Sequence, residues 1–261
     1  MSASSKLPVD HASQPGLSDL SGNALDSSLP TVPGGWATSE VQVGDRQIQL
    51  LLPANPDAFL DDPQVQQANS ESDYMPYWTY LWPAARHMAK LVLDEPWRPG
   101  TPTLELGSGI GLVGIAALAT GLRVTFSDYD RTSLLAAEQN ALRNDLKADA
   151  AVLLDWRTPE ASSLQGRFKL ILGCDVIYEV ALHEHLLNVL DRHLEDDGVC
   201  WLGDPGRSAF NAFRERATRR GYSIDLHDEH GRSCEFEAST PAAFRLAVLH
   251  RQESQERQVG K

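Results

Sequence analysis

The residues best suited to chemistry lie in one glycine-rich stretch, Leu104-Glu105-Leu106-Gly107-Ser108-Gly109-Ile110-Gly111, and in an acid that follows about twenty residues later, Asp128. Glycines let a backbone approach a ligand without interference from Cβ, and they reach the positive φ that a tight turn needs. A carboxylate at the position of Asp128 can accept both hydroxyls of a ribose through charge-assisted hydrogen bonds, each contributing roughly 1.5–3 kcal/mol. Together they describe a site for an adenosine-bearing ligand. Two ligands meet that description. The stretch contains Gly109-x-Gly111-x-x-Gly114, a weak dinucleotide fingerprint that fits NAD. S-adenosylmethionine fits equally well at the ribose, and two features favour it. Glu105 stands two residues before the first glycine, where its charge can bind an α-amino group or order the loop but would repel a pyrophosphate. The fingerprint also begins after about a hundred residues, whereas a dinucleotide domain more often starts with it. Neither feature excludes NAD.

Other reactive side chains carry less. His183 and His185 are two apart on an expected helix and point to different faces, which argues against a metal site. Cys174, Cys200 and Cys234 form neither a disulfide framework nor a zinc pattern, and a reducing cytoplasm is the default. The basic run Arg214-Glu215-Arg216-Ala217-Thr218-Arg219-Arg220 reads as the solvated face of a helix. A net charge of −13 argues against nucleic acid and suits a cationic substrate, such as a protein bearing lysine.

To position the loop, the sequence must supply strands that end where helices begin. Thr103–Leu106, Leu122–Ser127, Ala150–Leu154, Phe168–Cys174 and Val199–Leu202 read as strands. Helical patterns at Tyr80–Leu93, Ile110–Ala119, Arg131–Asn144, Leu182–Leu194 and Ala209–Arg220 accompany them. Such alternation implies an α/β fold: a mostly parallel sheet with helices on both faces. Tyr222–Leu226 and Phe244–His250 follow without a helix between them, an antiparallel addition at the sheet's end. Residues 1–35 are rich in Ser, Pro, Gly and Asp and read as disordered. Residues 36–72 read as a hairpin around Gly44-Asp45 followed by a loop over 53–72, residues 73–251 as the main domain, and 252–261 as a flexible tail. Residues 1–72 hold nine acids against two bases, so more than half of the net charge lies before the main domain. No apolar run is long enough to span a bilayer, and no secretory signal is evident.

Several further stretches carry a resemblance. Pro76-Tyr77-Trp78-Thr79-Tyr80-Leu81-Trp82-Pro83 precedes the loop, Leu154-Asp155-Trp156 ends the third core strand, Cys174-Asp175-Val176-Ile177-Tyr178 ends the fourth, and Gly203-Asp204-Pro205-Gly206-Arg207 follows the fifth. With Glu105–Gly111 and Asp128 between them, this series over about residues 76–222 resembles the seven-β-strand, class I protein lysine methyltransferases of the DxxY type. Their relatives that modify the electron-transfer flavoprotein β-subunit are included. The resemblance implies a Rossmann-like fold of seven strands, S-adenosyl-L-methionine as donor and a protein lysine as acceptor. It places Trp82 at the donor pocket, Gly107, Ser108 and Gly109 on the methionine part, Asp128 on the ribose, and Trp156 on the adenine with Asp155 beside it. It makes Cys174 a pocket-lining residue and turns Asp175 and Tyr178 toward the acceptor. The base- and amide-methylating branch carries prolines where Asp175-Val176-Ile177-Tyr178 has none. A small-molecule N- or O-methyltransferase on the same scaffold is the remaining alternative within the fold.

Overall fold

The structure, a computed structural model, describes residues 29–72, 74–235 and 243–252. The disorder expected of residues 1–35 therefore falls largely outside the described residues, as does nearly all of the tail at 252–261. Residues 29–35 are placed. Val32 is buried, and the Trp36 indole donates to the Pro30 carbonyl at 2.9 Å. Ordered chain thus begins earlier than composition implied.

A hairpin opens the structure. Strands β1 (Trp36–Val43) and β2 (Arg46–Pro53) pair antiparallel around Gly44-Asp45. The expected loop over 53–72 is instead partly helical, with a short turn of 3-10 helix at Pro56–Phe59 and α1 at Pro63–Ser72. No residue of α1 is buried, so the apolar periodicity that reveals a helix in sequence is missing there. Helix α2 (Pro83–Asp94) begins at Pro83 rather than Tyr80, because proline is accommodated at the first helical position and Tyr80 and Trp82 are extended.

The remaining elements alternate: β3 (Pro102–Leu106), α3 (Leu112–Ala119), β4 (Arg123–Asp128), α4 (Arg131–Arg143), β5 (Ala150–Leu153), β6 (Phe168–Cys174), α5 (His183–His193), β7 (Leu194–Asp204), α6 (Ala209–Arg219), β8 (Tyr222–His227) and β9 (Arg245–Arg251). They form one seven-stranded sheet in the order β5-β4-β3-β6-β7-β9-β8. Strands β3 to β7 pair in parallel, and β9 runs antiparallel between β7 and β8. Strand β7 starts at Leu194, earlier than expected, and its pairing with β6 shifts register between Phe168 and Leu170.

Alternation along the strands divides the core. Val124, Phe126, Leu170 and Leu172 pack with α2, α3 and α4 on one face, while Leu104, Leu106 and Ile171 pack with α5 and α6 on the other. Every position of α3 but its last is buried, which explains its uniformly apolar sequence. The hairpin joins the first face through α4. Fully buried Asn140 accepts from Leu51 N at 2.6 Å and donates to the carbonyls of Leu51 and, at 2.9 Å, Ile110. One side chain therefore ties the hairpin to the glycine loop.

The chain moves outward from β3 through β4 to β5, then returns to the other side of β3 for β6. Loops diverge at that reversal and leave a crevice beyond the carboxyl ends of the strands. No helix among the described residues is long and apolar enough to cross a membrane.

Candidate active site

A cavity of about 730 Å³ occupies this crevice, above the carboxyl ends of β3, β4 and β6. All eleven residues singled out from the sequence line it: Trp82, Glu105, Gly107, Ser108, Gly109, Asp128, Asp155, Trp156, Cys174, Asp175 and Tyr178.

The glycine loop forms its floor. Gly107 has φ +60°, and a Cβ there would come within 2.9 Å of Val176 Cγ1, so the position excludes any side chain. Ser108 Oγ accepts from Ser127 N at 2.9 Å, which stitches the loop to β4. Glu105 is buried with its Oε1 on the amide of Gly114 at 3.0 Å, satisfying a donor in the first turn of α3 that the helix leaves free. The loop-ordering role is therefore the one visible. Burial pushes the Glu105 carboxyl up to about 8, and its Oε2 is buried with no hydrogen-bond partner.

Asp128 ends β4. Its Oδ2 accepts from Gly109 N at 2.9 Å and its Oδ1 from Asp130 N at 3.0 Å. Burial raises this carboxyl to about 6 against the pull of those amides. Asp128 does not cap α4; Asp130 does, accepting from Thr132 N at 2.7 Å and Ser133 N at 3.2 Å. The other oxygen of Asp130 accepts from the Tyr74 hydroxyl and, at 3.0 Å, from the Trp78 indole. Tyr129 donates to Met75 O at 2.7 Å. These contacts fasten residues 74–78 along the cavity wall beside Asp128. Nothing in the local sequence marks Asp130 for this, since its partners lie more than fifty residues away.

Across the cavity, the ring of Trp156 comes within 3.9 Å of the Cβ position of Gly107. Asp155 beside it is held by the Arg157 guanidinium at 2.7 Å, which keeps its carboxyl below the ordinary range.

The far end has a different character. Asp175 follows β6 with φ +59°, a left-handed conformation costly for a residue with a side chain. Its amide donates to Gly203 O at 2.9 Å, and α5 starts well beyond it with Leu182 at the capping position, so Asp175 is not a helix cap. Arg207 reaches Asp175 Oδ1 at 2.6 Å and Asp204 Oδ2 at 3.3 Å. Burial raises the carboxyls of both acids, and the guanidinium opposes that rise. Cys174 Sγ lies 3.8 Å from Asp175 Oδ2; burial pushes this thiol well up, so it is neutral and not a nucleophile.

Aromatic rings surround this end. Tyr77 meets Tyr178 edge-on at 5.4 Å between centroids, and Trp82 lies 6.2 Å from Tyr77 and 5.9 Å from Tyr80. The Arg207 guanidinium sits 5.9 Å from the ring centroids of both Trp82 and Tyr178. Trp82 thus stands at the carboxylate end of the cavity, just before α2 rather than within it.

The ring of His183 on α5 is engaged by neighbours at both nitrogens. His183 is buried with Nε2 2.9 Å from Ile177 O and Nδ1 3.1 Å from Arg216, which fixes a neutral ring donating through Nε2. No metal-binding cluster occurs among the described residues. The basic run on α6 is more than a solvated face, because Arg216 and Arg220 pair with Glu184 and Arg220 also with Asp191.

Comparison with known proteins agrees with this geometry. Residues 78–211 match the family model described as lysine methyltransferase. The histidine protein methyltransferase 1 homolog of Dictyostelium discoideum is 35% identical over 126 residues, covering 47% of this chain and 41% of that protein. The electron transfer flavoprotein beta subunit lysine methyltransferase of Mus musculus is 30% identical over 139 residues, covering 52% and 53% respectively. The chain thus spans about half the length of these curated relatives or less. The structure of SMU.776 solved in complex with SAH superposes with a TM-score of 0.51 at 12% identity, covering 65% of this chain and 50% of that one. The shared architecture is the Rossmann-like class I methyltransferase sheet, with the antiparallel C-terminal strand seen here as β9.

Proposed function

The chain belongs to the lysine methyltransferase family, and from that membership we propose that it is an S-adenosyl-L-methionine-dependent enzyme that methylates a lysine side chain of a protein. The observation that carries this reading is the convergence of the glycine loop, Asp128, Asp175 and Tyr178 on one cavity at the reversal of strand order.

The residues present fit such a donor. Asp128 offers two carboxylate oxygens, each with a lone pair beyond its amide bond, to a pair of ribose hydroxyls. The unpartnered Oε2 of Glu105 is an orphaned acceptor beside the glycine loop, suited to a cationic ligand. Gly107 and Gly109 would lie against the methionine part and Trp156 against the adenine. A dinucleotide fits less well, since Arg157, the guanidinium in the cavity wall, is already engaged by Asp155. Once bound, the donor supplies a methyl group on a positively charged sulfur, a good leaving group.

What the chain must add is position and a neutral amine. A lysine amine has a reference pKa near 10.4, so removing its proton at pH 7 costs roughly 4–5 kcal/mol. The rings of Tyr77, Trp82 and Tyr178 line the approach and keep water from it, and that desolvation lowers the cost by disfavouring the charged form. Asp175 orients the amine by accepting a hydrogen bond from it, leaving the nitrogen lone pair to form the new N–C bond while the C–S electron pair goes to sulfur. Tyr178, whose hydroxyl is pushed above its ordinary value chiefly by desolvation, borders the lysine stem.

Extract from cells lacking this protein, incubated with the purified chain and radiolabelled donor, tests the proposal. A labelled protein band whose label maps to lysine is expected. Label confined to small metabolites would establish the small-molecule alternative instead.

A further inference from the structure

Asp175 and Asp204 lie side by side beneath the aromatic end of the cavity, with side chains 8% and 0% exposed. One guanidinium serves both. The contact of Arg207 Nη1 with Asp175 Oδ1, at 2.6 Å, is a charge pair rather than an aligned hydrogen bond, and the same nitrogen approaches Asp204 Oδ2 at 3.3 Å. The turn that carries Arg207 does not depend on that guanidinium, because Asp204 Oδ1 accepts from the amides of Gly206 and Arg207, each at 2.7 Å. The side chain is thus free to serve the site. Asp175 Oδ2 is not taken by it; it accepts a weak bond from the Cys174 thiol at 3.8 Å, on the side of the cavity wall, and keeps further lone pairs for a ligand.

We propose that Arg207 is a positioning residue for methyl transfer: it clamps Asp175 against Asp204 and leaves Asp175 Oδ2 as the charged acceptor for the incoming amine. The proposal rests on the lysine methyltransferase reading and assigns a residue to its acceptor half. Two carboxylates and one guanidinium leave a single negative charge, which one ammonium balances. A lysine therefore docks as a cation, and loss of water around it at the ring-lined end then favours release of its proton to solvent at the cavity mouth. The Trp82 and Tyr178 faces flank the guanidinium and fix where it can stand.

The titratable and charged groups around Asp175 are Cys174 and Tyr178 on its own segment, Asp204 and Arg207 from the turn after β7, Tyr77 from the aromatic segment, and Glu105 at the end of β3. Of these, Arg207 alone is a cation. Its removal leaves a buried carboxyl beside a second acid, and Asp175 then takes up a proton at higher pH.

The test compares wild type, Arg207→Gln and Arg207→Lys as full chains. The Asp175 carboxyl is titrated by carbon-13 NMR without donor, and radiolabel transfer into extract proteins is followed against pH. Arg207→Gln is expected to move the Asp175 titration, and with it the acidic limb of transfer, upward by about one to three pH units. Transfer at pH 7 should fall at least about tenfold, as loss of an orienting group in the transition state implies. Arg207→Lys should restore part of both, and calorimetric affinity for S-adenosylhomocysteine should stay within threefold or so of wild type, since the donor half is untouched. An Asp175 titration that is the same in wild type and Arg207→Gln overturns the clamp. If wild type itself labels no protein, the acceptor reading fails separately, and the NMR titration still decides the clamp.

Discussion

At the β3 and β4 end of the cavity, the polar contacts join short stretches of backbone to two carboxylates twenty-three residues apart, whereas at the β6 and β7 end the contacts join side chains drawn from three separate segments. Glu105 and Asp128 accept from the amides of Gly114, Gly109 and Asp130. Asp175, by contrast, is held by Arg207 from beyond β7, and its aromatic surroundings come from residues 77–82, ahead of the core sheet. On the proposed reading, the donor half is built on a strand end and a helix start. The acceptor half is assembled from parts that can vary independently. Substrate choice is expected to reside there.

The largest effect should come from breaking the acceptor half. Asp175→Ala is expected to lower label transfer by about a hundredfold or more, the range for a positioned group acting in proton handling. Affinity for S-adenosylhomocysteine should change little. Transfer at the wild-type rate would remove Asp175 from the reaction.

A smaller effect sharpens the donor half. The Glu105 carboxyl binds its proton more tightly in the folded chain, at about 8, than the ordinary 4.5. A group raised in this way stabilises the fold below its unfolded value, and that stabilisation is lost as pH rises toward the folded one. Asp128, raised from 3.8 to about 6, acts with the same sign at lower pH. His183 and His193 are lowered from 6.5, so their opposite contribution fades only as pH rises past that value and the unfolded rings lose their protons. Between about pH 7.5 and 8.5 the donor-free protein should therefore lose stability, at most about 1.4 kcal/mol per pH unit, with a falling Tm. Glu105→Gln should flatten that slope, and an unchanged slope would mean Glu105 is ionised throughout.

The same contrast explains what could be read from sequence. Glu105, the glycines and Asp128 are legible because their roles follow from local backbone geometry at strand ends. The parallel strands are legible because both faces are buried, giving near-continuous apolar runs such as Leu170-Ile171-Leu172. Asp175 and Tyr178 stand out only through the resemblance, since neither the positive φ of Asp175 nor the ring contacts of Tyr178 have a local signature. Arg207 on Asp175, Tyr74 and Trp78 on Asp130, and Asn140 on the hairpin are pairings across 32 to 89 residues, which periodicity cannot reveal. Helix α1 escaped for the opposite reason: it buries nothing.

The central claim is that one cavity holds an adenosyl donor at the Asp128 end, separate from the acceptor at Asp175. Calorimetric titration of S-adenosylhomocysteine into wild type, Asp128→Asn and Asp175→Ala, with NADH run in parallel, tests it directly. The account predicts binding to wild type and Asp175→Ala alike, a loss of roughly ten- to a hundredfold in Asp128→Asn from weakened charge-assisted hydrogen bonds, and no NADH binding. Binding of NADH without S-adenosylhomocysteine, or indifference to Asp128→Asn, would contradict it.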